Sequence, residues 1–141
     1  MDSRARVAFL LLILSQAAHS VEEYAFRLFD VFPPAHFVST MLSSNPARGF
    51  AIANVGIVLS GVFCYVSLVK PGHPAERAVA WFWLLLELGN GVGHTIMAMS
   101  RAGYFPGVAT APALVGISLY LGGRLTVGDG RNDRPGGRAR T

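Results

Sequence analysis

Six side chains in three separated stretches are the ones that could do chemistry together. His19, Glu22 and Glu23 stand in His-Ser-Val-Glu-Glu, Asn90 and His94 stand in Asn-Gly-Val-Gly-His, and Tyr104 opens Tyr-Phe-Pro-Gly. Two imidazoles and two carboxylates form a ligand set suited to zinc or non-haem iron. With such a divalent metal, the set could activate water or oxygen against a lipid-like substrate. Without one, the same groups suit general acid–base chemistry, for example proton relocation in a sterol or polyprenyl ring system. The candidate catalytic residues are therefore His19, Glu22, Glu23, Asn90, His94 and Tyr104. His19, Glu22, Glu23 and His94 are the expected metal ligands, and Glu87 is a further carboxyl within reach of that role. Plainer roles exist for each: Glu23 can pair with Arg27 one helical turn on, Asn90 and His94 can bond across helices, and Tyr104 can anchor an interface.

Helical spacing decides whether these residues can share a site. On a helix, His19 and Glu23 lie about 40° apart, and Glu22 about 60° from His19 on the other side. Glu87 and His94 differ by about 20°, and Asn90 lies about 40° from His94. Each helix thus carries one polar stripe among apolar residues. Gly89 and Gly93 flank the second stripe as a small-residue pair that would admit a neighbouring helix, with the first helix the expected partner.

The elements that must position these stripes are membrane spans. The chain has 141 residues, 52% of them apolar and 14% charged. Gly49 to Val69 and Ala102 to Gly123 carry no charge over 21 and 22 positions, the roughly 20 residues a helix needs to cross a bilayer. Disorder, a collagen repeat and a disulfide scaffold are excluded, because apolar content is high, glycine has no period and Cys64 is the single cysteine. The reading is an all-α integral membrane four-helix bundle. Its spans fall at about 6–29, 49–69, 77–100 and 104–123 in a domain covering 1–123. Pro33-Pro34 and Asn45-Pro46 break the first connection, whose middle can form a short interfacial or re-entrant helix. Residues 124–141 read as a basic, disordered cytoplasmic tail.

Basic residues orient the bundle. Arg4, Arg6, Lys70, Arg77, Arg124, Arg131, Arg134, Arg138 and Arg140 fall on one side, and Arg27, Arg48 and Arg101 on the other. Nine against three places both termini inside, in a multi-pass protein of a bacterial inner (cell) membrane. The pI near 9.8 follows from this anchor and calls for no nucleic acid. A cleaved signal peptide ending near Ser15-Gln16-Ala17 is the alternative reading of the first span, and it leaves the later spans unchanged. At about 1.5 Å per residue, His19, Glu22, Glu23 and His94 all lie in the outer half of the membrane, with Glu87 nearer its middle.

The ordered trio H19-S-V-E22-E23, N90-G-V-G-H94 and Y104-F-P106-G107 resembles the motifs of the HXXEE family, small four-span membrane proteins. The resemblance covers the chain to about Gly123 and all three motifs match. It implies a shared site and an enzymatic role with no assigned reaction. The expected function is an intramembrane enzyme, either a metal-dependent hydrolase or oxidase or an acid–base isomerase. Its partners would be the bilayer and a hydrophobic, lipid-like substrate, and a homo-oligomer is compatible. A proton-coupled transporter or a non-catalytic assembly subunit is the alternative, although no inverted repeat is visible. No Gly-x-Ser-x-Gly, phosphate loop or dinucleotide fingerprint occurs.

Overall fold

The computed structural model describes residues 1–132, and those residues form helices and short connections without a strand. Helix α1 (Ser3–Ala25) starts where the Asp2 carboxylate accepts the Ala5 amide. It stops short of the expected Phe29, because Arg27 adopts left-handed backbone (φ 55°) and the chain folds back through α2 (Leu28–Val31) and α3 (Pro33–Leu42). Arg27 pairs with Asp30 rather than with Glu23. Helix α4 (Pro46–Cys64) has Pro46 at its first position and the Asn45 side chain as its cap. Its last turn, Tyr65–Val69, widens to π-helical bonding. A tight turn then leads into α5 (Glu76–Ser100), close to the expected third span.

The fourth span differs from expectation at both ends. Residues 104–110 form a loop, because Pro106 is followed by Gly107 in left-handed backbone (φ 95°). Helix α6 begins only at Ala111 and runs to Asn132. Gly122 and Gly123 do not end it, since Leu114, Leu121 and Leu125 continue one buried stripe across them. The first nine residues assigned to the tail are therefore helical, and the remainder, 133–141, lies outside the described residues.

Helix α1 is central, packed on α4, α5 and α6. Helix α5 lies along α6 and meets the π-helical end of α4, while the upstream part of α4 lies against α1 and α3. That layout leaves a cleft between α4 and α5. Helix α3 docks on the start of α4 at Gly49, where an added Cβ would stand 1.9 Å from the Ser39 carbonyl oxygen. Two apolar clusters stack along the bundle. One joins Phe9, Leu12 and Ile13 of α1 to Trp83 and Leu84 of α5 and to the α6 leucines. The other is aromatic, built on Phe29, Phe50 and Phe105. Buried Gln16, His19, Ser20, Glu22 and Glu23 of α1 and Glu87 and His94 of α5 lie between them in sequence.

Helices α1 and α4 with its π-helical end are long and apolar enough to cross a membrane. Only 11% of the most apolar stretch of α4 is buried, and Val55, Leu59 and Phe63 are well exposed. Helix α5 has the length but carries Glu87, Asn90 and His94, and α6 contributes a shorter apolar stretch, Ala111–Val127.

Candidate functional site

Residues His19 and Glu23 sit one turn apart on α1, and His94 reaches them from α5. The Nε2 atoms of His19 and His94 lie 3.4 Å and 3.1 Å from Glu23 Oε1. The two rings meet edge to face, centroids 4.6 Å apart. All three side chains are buried, His19 completely. One ligand atom from each residue lies within 4.8 Å of the other two. Ligand bonds of about 2.0–2.2 Å would set neighbouring ligand atoms roughly 3–3.5 Å apart, as the two Glu23 contacts already are. His19 Nε2 has no hydrogen-bond partner among the described residues. A buried nitrogen left this way is costly unless something else satisfies it.

The far side of each imidazole is tied down. His94 Nδ1 lies 2.6 Å from the Pro106 carbonyl oxygen, which can only accept, so Nδ1 carries the proton. His19 Nδ1 lies 2.7 Å from Thr110 Oγ1, whose own proton goes to Glu22 Oε2 at 2.6 Å. His19 therefore also donates from Nδ1. Both rings turn Nε2 toward Glu23 and anchor Nδ1 elsewhere, the orientation that metal-bound histidines show.

Glu22 does something else. Its Oε1 accepts from the Tyr104 hydroxyl (2.5 Å) and the amides of Gly107 (3.1 Å) and Ala109 (3.0 Å). Its Oε2 accepts from the Thr110 amide (2.9 Å) and hydroxyl. Five donors just before α6 hold this carboxylate, where aligned amides favour negative charge. Glu22, expected among the ligands, thus has both oxygens committed and organises the 104–110 loop. Tyr104, expected to act on substrate, spends its hydroxyl on the same task. Gly107 packs beneath both imidazoles: a Cβ there would stand 2.5 Å from His94 Nδ1 and 2.6 Å from His19 Cε1.

Asn90 makes the bond across helices that is the plainer of its two expected roles. Its amide donates to Gln16 Oε1 (3.3 Å), Gln16 donates to Ser20 Oγ, and Ser20 donates to Asn54 Oδ1. This polar row crosses α5, α1 and α4 below the imidazoles. Glu87 lies outside the three-ligand group, buried, with Oε2 unpartnered among the described residues. The glycine that brings a helix against α5 is Gly91, facing Ala111, Leu114 and Val115 of α6. The expected pair Gly89 and Gly93 would meet nothing within 4 Å, since each stands two positions from Gly91 and points about 160° away from it around the helix. Thr110, Gln16, Ser20 and Asn54 escaped sequence reasoning because lone hydroxyls and amides carry no spacing signal. A cavity of about 630 Å³ opens beside the centre, with Glu23 and His94 in its wall.

An all-helical bundle with a buried two-histidine, one-carboxylate cluster braced by a glutamate-bound loop is the class that these observations define. A family model described as "Protein of unknown function with HXXEE motif" matches residues 10–121, and the chain belongs to that family. His19, Glu22 and Glu23 are the residues of its name motif in this sequence. No curated protein and no solved structure matches the chain.

Proposed function

We propose that the chain is a four-span intramembrane enzyme whose His19–Glu23–His94 centre holds a divalent metal, zinc or iron, and acts on a lipid-like substrate. One observation carries this reading: the two Nε2 atoms and Glu23 Oε1 converge, with each Nδ1 already engaged by Pro106 or Thr110. Two histidines and one carboxylate with an open side are the donor set of catalytic zinc and non-haem iron sites. Zinc there would supply Lewis acidity for hydrolysis, and iron would supply redox activity for oxygen chemistry. The residues of the chain do the rest. Pro106 and Thr110 fix the ring orientations, Glu22 fixes Thr110, and Phe105, buried against His94, keeps bulk water off one flank.

Exposed apolar side chains along α4 support a lipid environment, because in water such a face would associate or aggregate. With α5 and α6 counted as spans, both termini face the cytoplasm and the basic stretch after Gly123 follows the positive-inside rule. A bacterial inner membrane fits that pattern. The competing reading is metal-free: Glu23, in contact with both imidazoles, would exchange a proton with them as a general acid–base group.

Metal analysis of gently purified protein separates the two. The expected result is about one zinc or iron per chain, lost in His19→Ala and His94→Ala while both variants still insert. Wild-type protein that carries no stoichiometric metal and gains none on titration would hand the site to the acid–base reading.

A further inference from the structure

The cavity beside the centre has a chemical bias that narrows the ligand. Its wall carries Glu23 and Glu87, the amides Gln16, Asn54 and Asn90, and His94. No lysine or arginine occurs among the described residues lining it. The amides are already bonded to one another and to Ser20 and the Phe50 carbonyl. Glu87 is 1% exposed and its Oε2 has no partner among the described residues. With Glu87 ionised, the unmet demand in this cavity is for a hydrogen-bond donor.

The rest of the wall is hydrocarbon. Phe32 and Val38 from the α2–α3 segment face Phe50 and Ile57 of α4 and Leu85 and Leu86 of α5. Ile57, Val38, Leu85 and Leu86 are themselves 38–60% exposed, so the cleft is open along an apolar rim between α4 and α5. A volume of about 630 Å³ falls within the range of ligand sites, roughly 300–1,000 Å³. Phosphate and carboxylate heads are recognised by arginine and lysine, and here they would meet two carboxylates instead.

We propose that the cavity takes a long-chain lipid with an uncharged, hydrogen-bond-donating head of the alcohol type, bound hydroxyl to Glu87 with its chain along the α4–α5 cleft. This names the substrate class for the enzyme reading above, and rests on it for the claim that the bound lipid is a substrate. The head would lie in the same cavity wall as Glu23 and His94, which places its hydroxyl carbon beside the centre.

The test compares three probes of equal chain length on purified wild-type protein in nanodiscs: hexadecanol, hexadecyl methyl ether and hexadecyl phosphate. The ether retains the oxygen and loses the proton. Hexadecanol should bind at least about tenfold more tightly than the ether, the scale of one hydrogen bond to a buried carboxylate, and the phosphate no better than the ether. Glu87→Leu should lower hexadecanol binding to the level of the ether and leave ether binding unchanged, which also shows that the cavity has survived. Equal affinity for alcohol and ether, preference for the phosphate, or no binding of any probe would overturn the proposal. Metal content measured on the same samples keeps the two readings apart. Alcohol selectivity without metal sinks the metal reading alone, and stoichiometric metal without selectivity sinks this one alone.

Discussion

Glu22 and Glu23 are adjacent in the chain and serve different partners: Glu22 accepts five hydrogen bonds from the loop before α6, and Glu23 faces the Nε2 atoms of His19 and His94. Successive helical residues diverge by about 100°, so one carboxylate reaches the loop before α6 and the other reaches α5. The first then holds the loop that orients the histidines, and the second completes the cluster.

That division predicts opposite phenotypes for two like substitutions. Glu22→Gln turns an amide NH₂ toward donors and should cost stability, about 2–3 kcal/mol for hydrogen bonds to a charged acceptor. Glu23→Gln should leave the melting temperature near wild type and weaken metal binding. Paired thermal melts and metal titrations read both. Equal effects of the two variants on both measurements would show that the roles are not divided.

Thr110 links His19 to Glu22 from behind the ring and lies outside the three-ligand group. Thr110→Val should lower metal affinity by about 10–100-fold, the usual effect of removing a partner behind a ligand, whereas Thr110→Ser should stay close to wild type. For wild type, affinity should also fall as acid protonates the imidazoles and Glu23. Competition titration with a chelator measures both, and a Thr110→Val protein with wild-type affinity would remove Thr110 from the site.

Gly107→Ala places a methyl against both imidazoles in left-handed backbone, where strain alone costs about 1–3 kcal/mol. It should melt lower than wild type and lose metal. Gly89→Ala, which meets nothing within 4 Å, should be neutral or gain up to about 1 kcal/mol as a mid-helix replacement. Circular dichroism melts of the two alanine variants check the contrast. Equal melting temperatures would mean that the loop does not pack as described.

At the other end of the bundle, Glu76 pairs with the Met1 amine and with Arg6 at 3.1 Å. Burial works against its ionisation, but the hydrogen bonds and charges of the amine and Arg6 outweigh that, and its carboxyl lies below the ordinary 4.5. A depressed folded-state value means that the stabilisation is complete above about pH 4.5 and lost as pH falls through the folded value. Melting temperature should therefore drop more steeply below about pH 4.5 in wild type than in Glu76→Gln. Parallel curves would show that the pair contributes nothing.

Both termini are expected on the cytoplasmic side. A reporter active only in the cytoplasm, fused after Thr141, should be active. Activity confined to a reporter that works only after export would reverse the orientation.

Helix existence, the polar stripes on α1 and α5 and the candidate residues at His19, Glu23 and His94 could be read from the sequence, because apolar runs and a 3.6-residue period are local properties of a chain. The end of α1 at Ala25 and the start of α6 at Ala111 could not. A left-handed turn at Arg27 and a loop wrapped around a distant carboxylate are settled by partners far away in sequence. The same holds for which of two neighbouring glutamates meets the histidines, and for Gly91 rather than Gly89 or Gly93 as the close-packed glycine. Spacing ranks residues by angle around one helix. What stands opposite each angle depends on how α1, α5 and α6 are rotated against one another, and only the packed tertiary structure decides that rotation.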